Sequence, residues 1–358
     1  MSISIKHRRS VRLLAAAAAA TAVLGLASCS SGGDGAVGGD SANDADAPNA
    51  TLTLYSGQHE ELAKALAAGF EKDTGIKIDV RAGKDAEMVN QIIEEGDKSK
   101  ADLIITEEPG PIAELDSKGL LEPVTKEALA EPDRRFVPST GDWLPWAARS
   151  RVYFYDPALI SEDQLPDSIL DLENPEWKGR FAYAPSGAFV STTTYLINTI
   201  GKDRTLEWLK AIKENGVNER SNGKVRDSVE AGQHEFGLSN HYYWYILAKQ
   251  KGGEQNLTSR VHFLNNDDAG ALMLASGAGV LKSSAHKEEG QRFLTWLASA
   301  DGGQKIVAED SPQFPLAAGV TSSYGLPSID SLTFPEFDQG SLEDVGAAKD
   351  LLKQAGIV

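Results

Sequence analysis

The residues best equipped for chemistry lie together at Asn240-His241-Tyr242-Tyr243-Trp244-Tyr245, where three tyrosines, a histidine and a tryptophan share six positions of a chain that is 7% aromatic. A phenol offers an oxygen donor to a hard cation, a hydrogen-bonding tip, or a flat face for stacking on an organic solute. Packing offers another use, with Tyr243 and Trp244 covering a helix and the other rings in interior or rim positions. Neighbouring side chains point to opposite faces of a strand and diverge by about 100° on a helix. Tyr242 and Tyr243 therefore converge only from an irregular turn or a helix start, the kind of segment that carries binding residues on a rigid scaffold.

The elements needed to position them begin at residue 51. Thr51 to Tyr55 reads as a strand, Ser56-Gly57-Gln58 as a turn, and 59–72 as a helix with Leu62, Leu66, Ala67 and Phe70 at helical spacing and Glu60 and Glu61 in its first turn. An alternating strand over 75–80, a helix through 88–93 and the apolar run 101–105 follow. Strand and helix in alternation predict a parallel sheet with covering helices, whose ligands sit beyond the carboxyl ends of the strands. His59 follows the first strand and Glu107 the third, so such a sheet brings them to one rim although 48 residues separate them.

A second block contains a strand over 151–155, the segment 177–183, the turn Pro185-Ser186-Gly187-Ala188 and a helix over 189–200. The exposed N–H groups at Ser186 to Ala188 suit an anion, and equally suit a plain serine cap. A helix over 205–213, a loop around Asn222, strands at 270–274 and 279–282, and helices over 287–298 and 301–308 complete the reading. The chain has no internal repeat, phosphate-loop motif or nucleophile elbow.

Location is read from the first 50 residues. Lys6, Arg8, Arg9 and Arg12 precede an apolar run of 14 residues, Leu13 to Leu26, closed by Leu26-Ala27-Ser28-Cys29. A membrane span needs about 20 apolar residues, so the run predicts a secretory leader over 1–28. Leu-Ala-Ser-Cys resembles the bacterial lipobox, which makes Cys29 the lipidation site and first mature residue. Cys29 is the single cysteine, so neither an intramolecular disulfide nor a thiolate metal site is available. Residues 29–50, rich in Gly, Ser, Ala and Asp, predict a flexible tether. The formal charge of −17 includes the four leader cations and is −21 without them. That charge opposes nucleic-acid binding and weakly favours a cationic ligand.

Tyr55-Ser56-Gly57-Gln58-His59, the stretch from Ala101 to Glu107, Ser186-Gly187-Ala188-Phe189, the stretch from Asn240 to Trp244, and Gly277-Ala278-Gly279-Val280-Leu281-Lys282 together resemble matching segments of the bacterial periplasmic ferric-ion-binding proteins, the solute-binding components of iron(III) ABC importers. The resemblance runs in order through most of 51–358. It implies an α/β, two-lobed periplasmic-binding-protein fold of type II, transferrin-like, with a ligand cleft between lobes. The expected division is a first lobe over 51–148, a second over 149–270, and a return over 271–358 with C-terminal helices packing across both. The resemblance further implies that His59, Glu107, Tyr242 and Tyr243 hold Fe(III), and that Ser186, Gly187, Ala188, Asn222 and Asn240 receive a synergistic anion, phosphate or carbonate. The implied partners are an ABC permease and its ATPase, and the implied state is a monomer held by a lipid on the outer face of the cell membrane.

The donor types agree with that ligand set. Two phenolates and a carboxylate match the hardness and the charge of a trivalent ion, with His59 as a neutral donor. Phenols ionise near pH 10, so a divalent ion would deprotonate two of them far less readily. Glu108 departs from the pattern, because many members carry a neutral amide after the iron-binding glutamate. A desolvated second carboxylate repels a multiply charged anion, while Arg149 and Arg151 would restore positive charge if they lie near. Two other classes remain: a receptor whose tyrosines stack on an organic or oxyanion solute, and an exported hydrolase using Glu107 and Glu108. The hydrolase requires two carboxyls placed apart across a groove, which adjacent glutamates do not supply, and a non-enzymatic protein is expected.

Overall fold

The computed structural model describes residues 50–358; the leader, Cys29 and the tether up to residue 49 lie outside the described residues. The first part is β1 (Thr51–Ser56), α1 (Glu60–Thr74), β2 (Lys77–Ala82), α2 (Asp85–Glu95), β3 (Leu103–Thr106) and α3 (Pro109–Ser117). β1 lies between β2 and β3 and is parallel to both, as strand–helix alternation predicts. All four residues of β3, Leu-Ile-Ile-Thr, are buried, as a parallel strand covered on both faces requires. β2 is the edge, largely exposed and carrying Lys77 and Arg81, which blunt it against further pairing. α1 buries Leu62, Leu66 and Phe70 and ends at Gly75, whose φ of 76° supplies the left-handed cap.

After α4 (Lys126–Ala130), the long strand β4 (Leu144–Tyr155) is buried along all 12 residues. The sequence reading recognised only its second half, because Trp143 to Trp146 lack strand alternation; a strand buried on both faces has none to show. β5 (Phe181–Tyr183), α5 (Gly187–Ile200), α6 (Lys202–Asn215), β6 (Val217–Asn218), α7 (Asn222–Glu230), β7 (Phe236–Asn240) and α8 (Tyr242–Gln250) follow. The expected loop around Asn222 is corrected here. Ser221 accepts a hydrogen bond from the Lys224 N–H and caps α7, so Asn222 is a helix's first residue.

β8 (Arg260–His262) and β9 (Met273–Val280) come next, then α9 (Lys287–Ala298), α10 (Gly303–Asp310), β10 (Phe314–Pro315) and α11 (Val345–Ala355). The two strands expected at 270–274 and 279–282 are one strand, β9. The Asp268 side chain accepts from the Gly270 N–H and holds Ala269 to Ala271 in a helical turn just before it.

The strands form the ladder β2-β1-β3-β9-β4-β7-β5-β6, with β8 and β10 also beside β4. β4 serves both ends of this ladder. Residues 144–150 pair with β9, 151–155 pair with β7, and 153–155 also pair with β8 on the other side. The result is the expected two-lobed α/β fold, its lobes joined through continuous backbone rather than a loop. One core gathers Leu54, Leu66, Phe70, Trp146, Phe293 and Leu297, and another gathers Tyr153, Phe181, Trp208 and Phe236 around the far strands. α11 packs on α5 and α6, carrying the C-terminal segment back across the molecule.

Candidate metal centre

A cavity of about 800 Å³ opens between the lobes, and helices begin on it from both sides. His59 precedes α1, Asp85 opens α2 and Glu108 precedes α3; from the other lobe Gly187 opens α5, Asn222 opens α7 and Tyr242 opens α8. All six residues line the cavity. Each helix start carries partial positive charge and N–H groups without intrahelical partners, so the walls favour anionic donors in an otherwise acidic chain.

The tyrosine stretch is a helix start. β7 ends at Asn240, His241 stands at the cap position and α8 runs from Tyr242. At this boundary the rings of Tyr242 and Tyr243 stack, with centroids 4.3 Å apart and planes 30° from parallel, and both line the cavity. Trp244 and Tyr245 turn away into a core with Val152 and Phe154, and the Trp244 indole donates to the Ser259 carbonyl at 3.3 Å. His241 is structural. Its Nδ1 accepts from the Ser150 N–H at 3.1 Å, its ring packs on Phe314, and burial pushes its pKa down to about 3.

The hydroxyl of Tyr242, a residue 3% exposed, donates to Glu107 Oε1 at 2.7 Å, joining the end of β3 to the start of α8. The His59 ring meets the Tyr242 ring edge-on with centroids 5.9 Å apart. His59, Glu107, Tyr242 and Tyr243 thus line one cavity, the first two from one lobe and the tyrosines from the other. Burial, and then the Glu107 charge, push the Tyr242 phenol well above its ordinary value, and the same causes in the same order raise Tyr243. In the metal-free chain both are neutral phenols. Among the described residues no group of three or more His, Cys, Asp or Glu side chains gathers to hold a metal. The donors that stand beside His59 and Glu107 on this cavity are phenol oxygens.

Asp85 escaped the sequence reading. Its carboxylate accepts the backbone N–H of Glu107 at Oδ1 and that of Glu108 at Oδ2, both at 2.9 Å, and so fixes the turn that presents Glu107. Burial, then the charge of Glu107, push its pKa up to about 7. A signal existed: Asp85 follows β2 at the same carboxyl rim as His59 and Glu107, opening a helix. Gly57 leaves the space it needs, since a Cβ there would fall 1.7 Å from Asp85 Oδ1.

The anion candidates line the same cavity, on the lobe that carries the tyrosines. Ser186 stands at the cap of α5 with its hydroxyl accepting from Asn222 Nδ2 at 2.9 Å, and the first-turn residues Gly187 and Ala188 follow. The Asn222 Oδ1 is buried without a hydrogen-bond partner. Asn240 accepts from Arg151 Nη1 at 2.7 Å. Arg149 and Arg151, two apart and so on one face of β4, are both fully buried. Burial opposes the charge of Arg149, yet Glu108 and Glu107 outweigh it and raise its pKa, whereas burial lowers Arg151 to about 10. Arg149 Nη2 lies 3.0 Å from Glu108 Oε2, so the second glutamate is held inside and does not turn to solvent.

Comparison with known proteins agrees with this geometry. The family model of the bacterial extracellular solute-binding proteins matches residues 56–304. The Fe(3+)-binding periplasmic protein of Serratia marcescens is 36% identical over 308 residues, covering 86% of this chain and 90% of its own. The major ferric iron-binding protein of Neisseria meningitidis serogroup B is 37% identical over 311 residues, covering 86% and 93%. The crystal structure of iron-bound HitA from Pseudomonas aeruginosa is similar with a TM-score of 0.80 and 38% identity, covering 86% of this chain and 99% of that one. The chain belongs to the bacterial extracellular solute-binding proteins, and among them to the periplasmic ferric-ion-binding proteins of ABC iron transport.

Proposed function

We propose that this protein is a lipid-anchored extracytoplasmic receptor that takes up Fe(III) between its lobes and delivers it to an ABC permease and ATPase. His59 and Glu107 bind the ion from the first lobe and Tyr242 and Tyr243 from the second, and no covalent chemistry is performed. The observation that carries this reading is the 2.7 Å contact between the Tyr242 hydroxyl and Glu107 Oε1, with Tyr243 stacked beside it. A small octahedral ion about 2.0–2.1 Å from two adjacent oxygens holds them roughly 2.9 Å apart. The phenol proton therefore occupies a gap of the size a metal ion would bridge, between groups that become phenolate and carboxylate.

Charge decides which ion. Each phenol must ionise at least about 3 pH units below its pKa at neutral pH, about 4 kcal/mol apiece. A trivalent ion offsets this much better than a divalent one, and oxygen donors suit a hard cation. The ion would tie the lobes together, as the open form offers only part of the ligand set. The change of β4 partners after Ser150 lies two residues from the division into lobes over 51–148 and 149–270, with 271–358 returning across both. The lipobox-like Leu26-Ala27-Ser28-Cys29 supports the anchor, and the protein acts as a monomer. No helix among the described residues is long and apolar enough to cross a membrane.

Colour tests the iron reading. The iron-loaded chain is expected to be red to purple from phenolate-to-iron charge transfer and to bleach with a ferric chelator. A chain that stays colourless with excess ferric iron and instead binds an organic solute against the stacked rings refutes it.

A further inference from the structure

Glu108 puts a negative charge inside a wall that presents anion-binding groups. Its side chain leaves the turn after β3 and lies over the start of α5: a Cβ built on Gly187 would meet Glu108 Cγ at 2.9 Å and Oε1 at 3.3 Å. Oε2 accepts from the Ser191 hydroxyl at 2.9 Å and pairs with Arg149 at 3.0 Å. Glu108 is 6% exposed. The groups that would draw an anion to this helix start already have a carboxylate among them, supplied from the other lobe. An incoming phosphate would have to displace it or share the space with it, and two such charges in a desolvated cleft repel strongly.

Formal charge leads to the same result. In the metal-free site the buried guanidinium groups of Arg149 and Arg151 balance Glu107 and Glu108. A trivalent ion with two phenolates adds a single positive charge, which a doubly charged anion would more than cancel. Doubly charged phosphate or carbonate would leave this buried site negative, at a large solvation cost. With a neutral amide at 108 the site would be short of negative charge and would gain from such an anion.

The geometry points to Glu108 as a built-in replacement for the co-bound anion: this chain holds Fe(III) with water completing the coordination, and requires neither phosphate nor carbonate. The inference rests on the iron-binding reading above. The experiment strips the mature chain of iron and reloads it by air oxidation of ferrous chloride, in buffer free of phosphate and carbonate and again with excess phosphate. The readouts are the visible band, the phosphorus-to-iron ratio after desalting, and iron affinity by chelator competition. The wild type is expected to give the same band and affinities within about twofold in both buffers, with phosphorus far below one per iron. Glu108→Gln is expected to retain phosphate with its iron and to bind about tenfold more weakly without it. Wild-type protein that keeps one phosphorus per iron, or whose band moves when phosphate is added, overturns the inference and leaves the iron reading standing; so does a Glu108→Gln chain indifferent to phosphate. A wild type that takes up no iron in either buffer refutes the iron reading and the inference with it. If Glu108→Gln fails to fold, the wild-type ratio and band decide alone.

Discussion

Iron uptake at this site exchanges protons for metal, and the protons can be counted. Tyr242 and Tyr243 are neutral in the metal-free chain, their phenols raised by burial and then by Glu107. Binding as two phenolates expels two protons, so the iron association constant is expected to rise by about two decades per pH unit around pH 8. Asp85 adds to this at lower pH. Its pKa of about 7 leaves it mostly protonated at about pH 6, and a trivalent ion beside Glu107 favours its charged form, so a third proton leaves. The expected count climbs from about two per iron near pH 8 toward three near pH 6. A pH-stat in weakly buffered solution measures it directly, with iron added as a chelate whose own proton uptake is known, and competition titrations at each pH give the slope. Tyr242→Phe and Tyr243→Phe should each lower the count by one where they still bind. One proton per wild-type iron near pH 8 would mean that a phenol stays protonated, and the phenolate pair would be the wrong ligand set.

Three further outcomes are expected. Tyr242→Phe and Tyr243→Phe should each abolish or strongly shift the visible band, whereas Tyr245→Phe, whose ring packs away from the cavity, should leave it nearly unchanged; damage from Tyr245→Phe alone would misplace the site. Gly57→Ala drives a Cβ to within 1.7 Å of Asp85 Oδ1 and 2.7 Å of its Cα, so urea titration should show a loss of about 1–3 kcal/mol and iron affinity should fall as Glu107 shifts. Cys29→Ala should release the protein from membranes or leave its leader uncleaved, and equal membrane retention of a correctly cleaved variant would sink the anchor.

The sequence was legible where local pattern and chemistry coincide. Helix periodicity predicted α1 and α9 within about two residues, the alternation of strand and helix predicted the parallel β1, β2 and β3, and the adjacent tyrosines called for an irregular turn or a helix start, of which the second is found at α8. Every candidate iron and anion residue lines one cavity, which required the family resemblance, since no local pattern links His59 to Tyr242. What escaped was set by tertiary context. Asp85 acts by accepting backbone N–H groups 22 and 23 residues away. The first half of β4 carries no alternation because both its faces are covered. The charge balance of Arg149, Arg151, Glu107 and Glu108 depends on which side chains lose solvent, and that follows from packing alone.

The ladder also fixes the order in which this molecule can be completed. β9, which lies between β3 and β4, comes from residues 273–280, after nearly all of the second lobe has been made. Until that strand arrives, β3 has an open edge and the N-terminal half of β4 lacks its partner, so the amino-terminal sheet cannot be completed before residue 280 has been made. Such long-range pairing makes folding slow, because a large loop must be closed before the contact is gained. For a chain whose first 28 residues read as an export signal, this order keeps the sheet incomplete until almost four-fifths of the polypeptide exists, which favours export ahead of folding.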